Sequence, residues 1–378
     1  MSAETYLPRT NGVVNSVYQT SKELTEMGHV VEIVCPGDGP KNVGGITVHR
    51  VPSIAVDRFA QLDLATVGFR SLRKIIEAFN PDVIHLASPF LLGEKIARLA
   101  RELRIPTVAI FQTDLSGFAA AYGVKSVMAR RFIDNRLRKI HSEVTLTLAP
   151  SMSSLNYLNA LGVQNVKVWR RGVDTRSFSP SRKDEFLRQK WNAGANTVVV
   201  GYVGRLAPEK KIFNLSSITT LRDTSEARVQ LVFIGDGPSR QKLQETFPDG
   251  IFTGKLSGKE LYSAVASLDV VVTTGENETF CQVIQEAFAS GVPVVAPAIG
   301  GPLDLVTPGF NGLMYSPGNR DELAHCISEL VKDGDKRRLM GKNGYEEIQD
   351  RTWRNLTLEL INHYADASSR DSQIFMVA

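Results

Sequence analysis

The chain has 378 residues, 43% hydrophobic and 22% charged, an ordinary balance for a soluble globular protein and a length that suggests two domains. No apolar run approaches the ~18 residues of a spanning helix, and the opening "MSAETYLPRTNG" has neither the basic nor the apolar region of a secretion signal, so a cytoplasmic protein is expected. The net charge of +4 hides an asymmetry, because residues 1–180 carry 22 Lys and Arg against 15 Asp and Glu while the remainder carries 22 against 25.

Short apolar runs alternate with helical patterns from the start. A loop-like "YLPRTNG" begins at Tyr6 with almost nothing apolar before it, so the first strand is very short or the start is late. "NGVVNSV" (Asn11–Val17) then opens a helix. "VVEIVCPG", "ITVHRVP", "DVIHLAS", "TVAIFQT", "VTLTLAPS" and "VKVWRRG" read as strands, with "LRKIIEAFN" and "LLGEKIARLARELR" as helices among them. "IFQTDLSG" puts Gln112, Thr113 and Asp114 at a strand end, where a carboxylate either caps the next helix or orients a hydroxyl. The basic excess gathers in Ala121–Ile140, six basic residues against one acidic. Val127, Met128, Phe132, Ile133 and Leu137 there form either a core stripe or the apolar side of a membrane-surface helix. No basic stretch is interleaved with aromatics, so nucleic acid is not expected.

The polar segment Arg171–Phe186 is the expected domain boundary. Beyond it "TVVVGYVGR", "VQLVFIGDG", "GIFTGKL", "LDVVVTTG" and "VPVVAPAIG" read as strands separated by helical segments. Alternation of this kind builds parallel sheets with right-handed crossovers. The fold class is therefore α/β, with two doubly wound, Rossmann-like domains. Ligands of such sheets bind at the carboxyl ends of the strands, where "YVGRLAPEKK" places Gly204, Arg205 and Lys210. A guanidinium and an ammonium there can hold a diphosphate and stabilise its departure.

In "GENETFCQVIQEAFASGVP", Thr279 and Gln282 have capping-box spacing, so a helix is expected from Phe280 with Phe280, Val283, Ile284, Ala287 and Phe288 facing the core. Gln282, Gln285 and Glu286 fall on the opposite face, with Glu278 in line just before the helix. Helical rise would put the two glutamates about 12 Å apart, and the amides of Phe280, Cys281 and Gln282 at the positive end of the dipole. Such a face is either solvated or one wall of a nucleotide-sugar site. "FIGDGP" and "AIGGPLDLV" add glycine-rich turns at strand ends, each weak alone. No set of His, Asp or Glu has metal-ligand spacing, and Cys35, Cys281 and Cys326 match no disulfide or zinc pattern.

Together, "GRLAPEKK", "FIGDGP", "TTGENETFCQVIQEAFASG", "GGPLDLV" and "NGLMY", with "ETYLPRTNGVVNSV", "FQTDLSG" and "RRGVDTRSFSP", resemble retaining GT-B glycosyltransferases of family 4 over nearly the whole chain. The wording is most similar to actinobacterial GDP-mannose-dependent α-mannosyltransferases of glycolipid synthesis. The resemblance implies an acceptor-side domain over residues 1–178, a donor-binding domain over 179–350, and a final segment, 351–378, returning to the first. It implies that Arg205 and Lys210 hold the donor diphosphate and that Glu278 binds hexose hydroxyls with the backbone of Thr279, Phe280, Cys281 and Gln282. Glu286 would take the ribose hydroxyls, and Gly12 would meet the phosphates from the opposite domain. Asp114 stands where several relatives carry a histidine, so its role is a positioning one at a sugar or acceptor hydroxyl.

The implied activity is metal-independent transfer of mannose from GDP-mannose to a membrane glycolipid, without a cofactor. The enzyme would contact anionic lipid at the inner face of the plasma membrane through Ala121–Ile140. The alternatives are a UDP-sugar donor on the same fold, or a non-catalytic nucleotide-sugar binder. A dinucleotide oxidoreductase is disfavoured, because G-x-G-x-x-G and its ribose acid are missing.

Overall fold

The computed structural model describes residues 1–9, 11–56, 62–87, 89–112, 126–223 and 228–376. It divides into two compact units, one holding Met1–Gly172 and the helix that starts at Trp353, the other holding Val173–Thr352.

Unit one is built on a mostly parallel sheet. After helix α1 (Gly12–Glu26) come β1 (Glu32–Pro36), β2 (Asn42–Val43) and β3 (Ile46–Val51), then a separate antiparallel hairpin of β4 (Ser53–Val56) and β5 (Leu62–Ala65). Then follow α2 (Phe69–Phe79), β6 (Ile84–Leu86), α3 (Leu91–Leu103), β7 (Thr107–Ile110), α4 (Val127–Ser142), β8 (Leu146–Ala149), α5 (Met152–Ala160) and β9 (Val166–Val168). The strands pair in two runs, β1-β3-β2 and β6-β7-β8-β9. Ser2 joins them, bridging in parallel to Val34 and to Leu86. Its amide donates to the His85 carbonyl at 2.7 Å, and its own carbonyl accepts from Ala87 at 2.8 Å. Residues 1–3 thus pair between the two runs, in the middle of the sheet.

Successive residues of β1 face opposite layers, as the pleat requires. Ile33 and Cys35 pack with Val14 and Val17 of α1, whereas Val34 packs with Leu72 of α2 and Ile96 of α3. The last helix, Trp353–Met376, covers Val108, Ile110, Leu146 and Leu148 with Leu356 and Leu360. It is pinned by polar bonds, from the Trp169 indole to the Leu356 carbonyl at 2.7 Å and between His85 Nδ1 and the Tyr364 hydroxyl at 2.7 Å.

On α4 the apolar stripe divides. Leu137 and Ile140 are buried, while Val127, Met128 and Phe132 are 65%, 81% and 66% exposed. Only the second half of this helix is anchored in a core; the first half presents apolar side chains and arginines to solvent.

Unit two is a six-stranded parallel sheet with helices α6 (Glu185–Lys190), α7 (Arg240–Thr246) and α8 (Gly258–Ala266) before its fourth strand. Its strands are β10 (Thr197–Val203), β11 (Arg228–Ile234), β12 (Ile251–Gly254), β13 (Val270–Val272), β14 (Val294–Pro297) and β15 (Gly312–Tyr315), in the order β12-β11-β10-β13-β14-β15. Strands β10, β13 and β14 are buried on both faces, which is why they read as unbroken Val-rich runs rather than alternating ones. Val199, Val271 and Val294 enter one core, and Val198, Val200, Val270 and Val295 the other. Because the strands are parallel, the segments after β10, β13 and β14 leave from the same edge of the sheet.

Candidate active site of unit two

Three of those segments build the site. The one after β10 starts at Gly204, whose φ of +146° lies outside the range that side-chain-bearing residues favour. A tight backbone stack forms here. The Gly204 amide donates to the Ile234 carbonyl at 2.9 Å and the Leu206 amide to the Asp236 carbonyl at 2.9 Å. A Cβ on Gly235 would lie 1.9 Å from the Gly204 carbonyl oxygen and one on Gly237 2.4 Å from the Leu206 carbonyl oxygen, so both glycines of "FIGDGP" serve close packing beneath the loop. Arg205 follows with its side chain 42% exposed and its guanidinium 3.8 Å from Glu209. Its carbonyl accepts from the buried Tyr202 hydroxyl at 3.0 Å. A short 3-10 turn, Pro208–Lys210, then carries Lys210 back toward the strand after which the second segment begins.

That second segment, after β13, meets it. Lys210 Nζ donates to Glu278 Oε1 at 2.5 Å, and the Thr274 hydroxyl donates to the Lys210 carbonyl at 2.6 Å. Burial works against the Lys210 ammonium, but the Glu278 carboxylate outweighs it and holds its pKa above the usual lysine value. The space for the pair exists because position 275 is glycine: a Cβ there would lie 3.0 Å from Glu278 Oε1 and 3.5 Å from Lys210 Cδ.

The helix that follows, α9, runs Gln282–Ala289 and starts two residues later than the capping-box spacing indicates. Cys281 is its N-cap, in left-handed backbone conformation at φ 71°. The third segment, after β14, explains the delay. The Gly301 amide donates to the Glu278 carbonyl at 2.8 Å, and a Cβ on Gly301 would lie 2.4 Å from Phe280 Cα. This tertiary contact shapes the chain at Thr279–Cys281 before the helix can begin. Since residues 278–281 are not helical, the 12 Å spacing inferred from helical rise does not apply to the two glutamates.

The helix face also differs from expectation. Phe280, Ile284, Ala287 and Phe288 are buried as the stripe requires, but Gln285 is fully buried too, and Glu286 is only partly exposed. Burial pushes the Glu286 carboxyl up to about 7. Burial, and then the nearby Glu278 charge, raise the Cys281 thiol well above its ordinary range. Thr279, Phe280, Cys281 and Gln282 therefore lie where the loop turns into helix, next to the Lys210–Glu278 pair.

Gly12 belongs to unit one, as the first residue of α1, whose N-cap Asn11 accepts from the Val14 amide at 2.9 Å. A Cβ on Gly12 would meet Arg171 Nη1 at 3.2 Å. Arg171 is buried and donates to Gln112 Oε1 at 2.6 Å, a polar link at the end of β7 that the sequence reading passed over. Asp114 lies outside the described residues. Sequence reasoning also passed over Glu209, a buried neighbour of Arg205, and a second ion pair, Lys211–Glu276, beside the first. The signals were present as the doubled lysine of "EKK" and the alternating glutamates of "ENE". Among the described residues no three His, Cys, Asp or Glu side chains gather into a possible metal-binding group.

Residues 10–177 match the family described as "Glycosyltransferase Family 4", and residues 183–347 match "Glycosyl transferases group 1". A GDP-mannose-dependent alpha-mannosyltransferase of Mycolicibacterium smegmatis is 42% identical over 98% of this chain and 97% of its own length. The chain is a GT-B glycosyltransferase. A second relative of this glycosyltransferase, the GDP-mannose-dependent alpha-mannosyltransferase of Corynebacterium glutamicum, is 39% identical over 98% of this chain and 89% of its own. In fold, the glycosyltransferase is similar to the Anabaena protein Alr3699/HepE, solved in complex with UDP. The TM-score is 0.78 at 22% identity, covering 95% of this chain and 97% of that one.

Proposed function

We propose that this glycosyltransferase moves mannose from GDP-mannose to a membrane lipid or glycolipid acceptor, with retention at the anomeric carbon. The observation that carries the reading is the meeting of Lys210 with Glu278 at the carboxyl edge of the second sheet, beside the Arg205 loop. The choice of donor follows the mannosyltransferase relatives.

In this reading Arg205 and Lys210 hold the diphosphate, and Gly204 lets it approach the backbone. Charge grows on the departing phosphate as the glycosidic bond breaks, and fixed cations lower that barrier because they need no reorganisation. Glu278, with the backbone of Thr279–Gln282, accepts from the hexose, so the Lys210–Glu278 pair ties the leaving group to the sugar. Glu286 accepts from the ribose. The acceptor hydroxyl attacks from the face the diphosphate leaves, and a phosphate oxygen takes its proton, so no side-chain base is needed. Gly12, at the donor phosphates, and Asp114, in the catalytic set as the group positioning a hydroxyl of the sugar or of the acceptor, are carried on the resemblance alone. The exposed Val127, Met128 and Phe132, flanked by Arg130 and Arg131, support contact with an anionic membrane at its inner face.

A donor panel of GDP-mannose, UDP-glucose and UDP-N-acetylglucosamine with extracted membrane lipids, read by mass spectrometry, tests this. GDP-mannose alone should give a lipid product. Turnover of only a UDP-sugar would overturn the donor, and turnover of none would overturn the activity.

A further inference from the structure

The loop after β13 carries a second glutamate that the proposed mechanism leaves idle. Glu276 pairs through Oε2 with Lys211, as Glu278 pairs with Lys210, so adjacent lysines on one turn hold alternate glutamates on the other. The Glu276 side chain is 16% exposed, and its Oε1 is buried without a hydrogen-bond partner. A buried carboxylate oxygen lacking a donor is costly, and native folds rarely leave one unless something arrives to satisfy it. Lys211 adopts left-handed backbone, φ 50°, an uncommon state for a side-chain-bearing residue and one that recurs at ligand sites.

We propose that Glu276 Oε1 accepts a hydrogen bond from a hydroxyl of the donor hexose, with Lys211 as the positioning residue that holds it. The assignment rests on the reading that unit two binds a nucleotide sugar. A carboxylate accepts only, and a hexose offers several hydroxyl donors. The Lys211 ammonium offsets the added negative charge, so the loop gains an acceptor without repelling the diphosphate that Arg205 and Lys210 await. A site built to accept from a particular hydroxyl rejects sugars that lack it far more strongly than apolar packing can. Glu276 would thus set which hexose is taken, while Arg205, Lys210 and Glu286 recognise the nucleotide.

The test uses the full chain and its Glu276→Ala, Glu276→Gln and Lys211→Met variants. GDP affinity is measured by calorimetry, and turnover with GDP-mannose and with analogues each lacking one hydroxyl. Glu276→Ala should raise the donor KM roughly 10- to 100-fold, the range for a hydrogen bond to a charged group, with GDP affinity within about twofold. Lys211→Met should give a smaller rise. For one deoxy analogue the Glu276→Ala penalty should vanish, which a purely structural role would not produce. Glu276→Gln keeps the size of the side chain and stands in if the alanine variant does not fold. An unchanged KM in these variants, or GDP affinity falling as far as KM rises, overturns the assignment and leaves the donor site standing. A wild-type chain that neither binds GDP nor turns over GDP-mannose overturns both.

Discussion

A lysine and a glutamate 68 residues apart share a 2.5 Å hydrogen bond in unit two, and much of the proposed chemistry depends on it. Removing either partner leaves the other partly buried and uncompensated. Lys210→Ala should lower kcat/KM at least 100-fold, since losing one preorganised contact to developing charge costs about 10²–10³, and Glu278→Ala, which removes a hexose acceptor and leaves Lys210 unpaired, should lower it as far. Their circular dichroism spectra should match the wild type, and turnover near the wild-type rate in either would discard the site assignment. Glu286 supplies a pH signature. Its folded pKa of about 7 lies above the ordinary 4.5, so the fold favours the neutral acid. Its contribution to stability is then complete below about pH 4.5 and is lost as pH rises through about 7. Nucleotide binding should run the other way, because the ribose donates to the charged form: GDP affinity should strengthen across pH 6–8, and Glu286→Gln should flatten that dependence in calorimetry.

At the scale of elements, the loop into α9 shows what local sequence could and could not disclose. The strands of unit two were legible because burial on both faces leaves Val runs such as "TVVVGYV". The start of α9 was not, because Thr279 and Gln282 satisfy a local capping rule that a distant contact, Gly301 under Phe280, overrides. Gly301→Ala should therefore lower stability by about 1–3 kcal/mol, the usual cost of forcing atoms into a packed site. Denaturant melts would check it, and a loss under 0.5 kcal/mol would mean that the loop yields easily. On α4 the spacing of Val127, Met128 and Phe132 could not tell core from surface, since period alone does not say which neighbours exist. Replacing Val127, Met128 and Phe132 by serine should reduce co-flotation with anionic vesicles several-fold while leaving the melting temperature within about 2 °C, as exposed positions cost little. Undiminished flotation would detach this helix from the membrane reading.

At the scale of the molecule, the pairing of Met1–Ala3 escaped hydropathy because three residues give no periodic signal, although they fill the centre of a sheet. Pairing across space, not apolar content, defines that segment. The same unit is completed by the helix at Trp353–Met376, which covers Val108, Leu148 and Trp169. A chain ending at Thr352 should expose that core and aggregate or bind a hydrophobic dye, whereas residues 173–352 expressed alone should melt cooperatively. A folded, monodisperse 1–352 chain would show the helix to be dispensable. One consequence concerns synthesis. The ribosome finishes all of unit two before it makes the helix that seals unit one, so during translation the earlier segment must wait, partly uncovered, while the later one can already close. Chaperone demand on the nascent chain should accordingly fall on the portion made first.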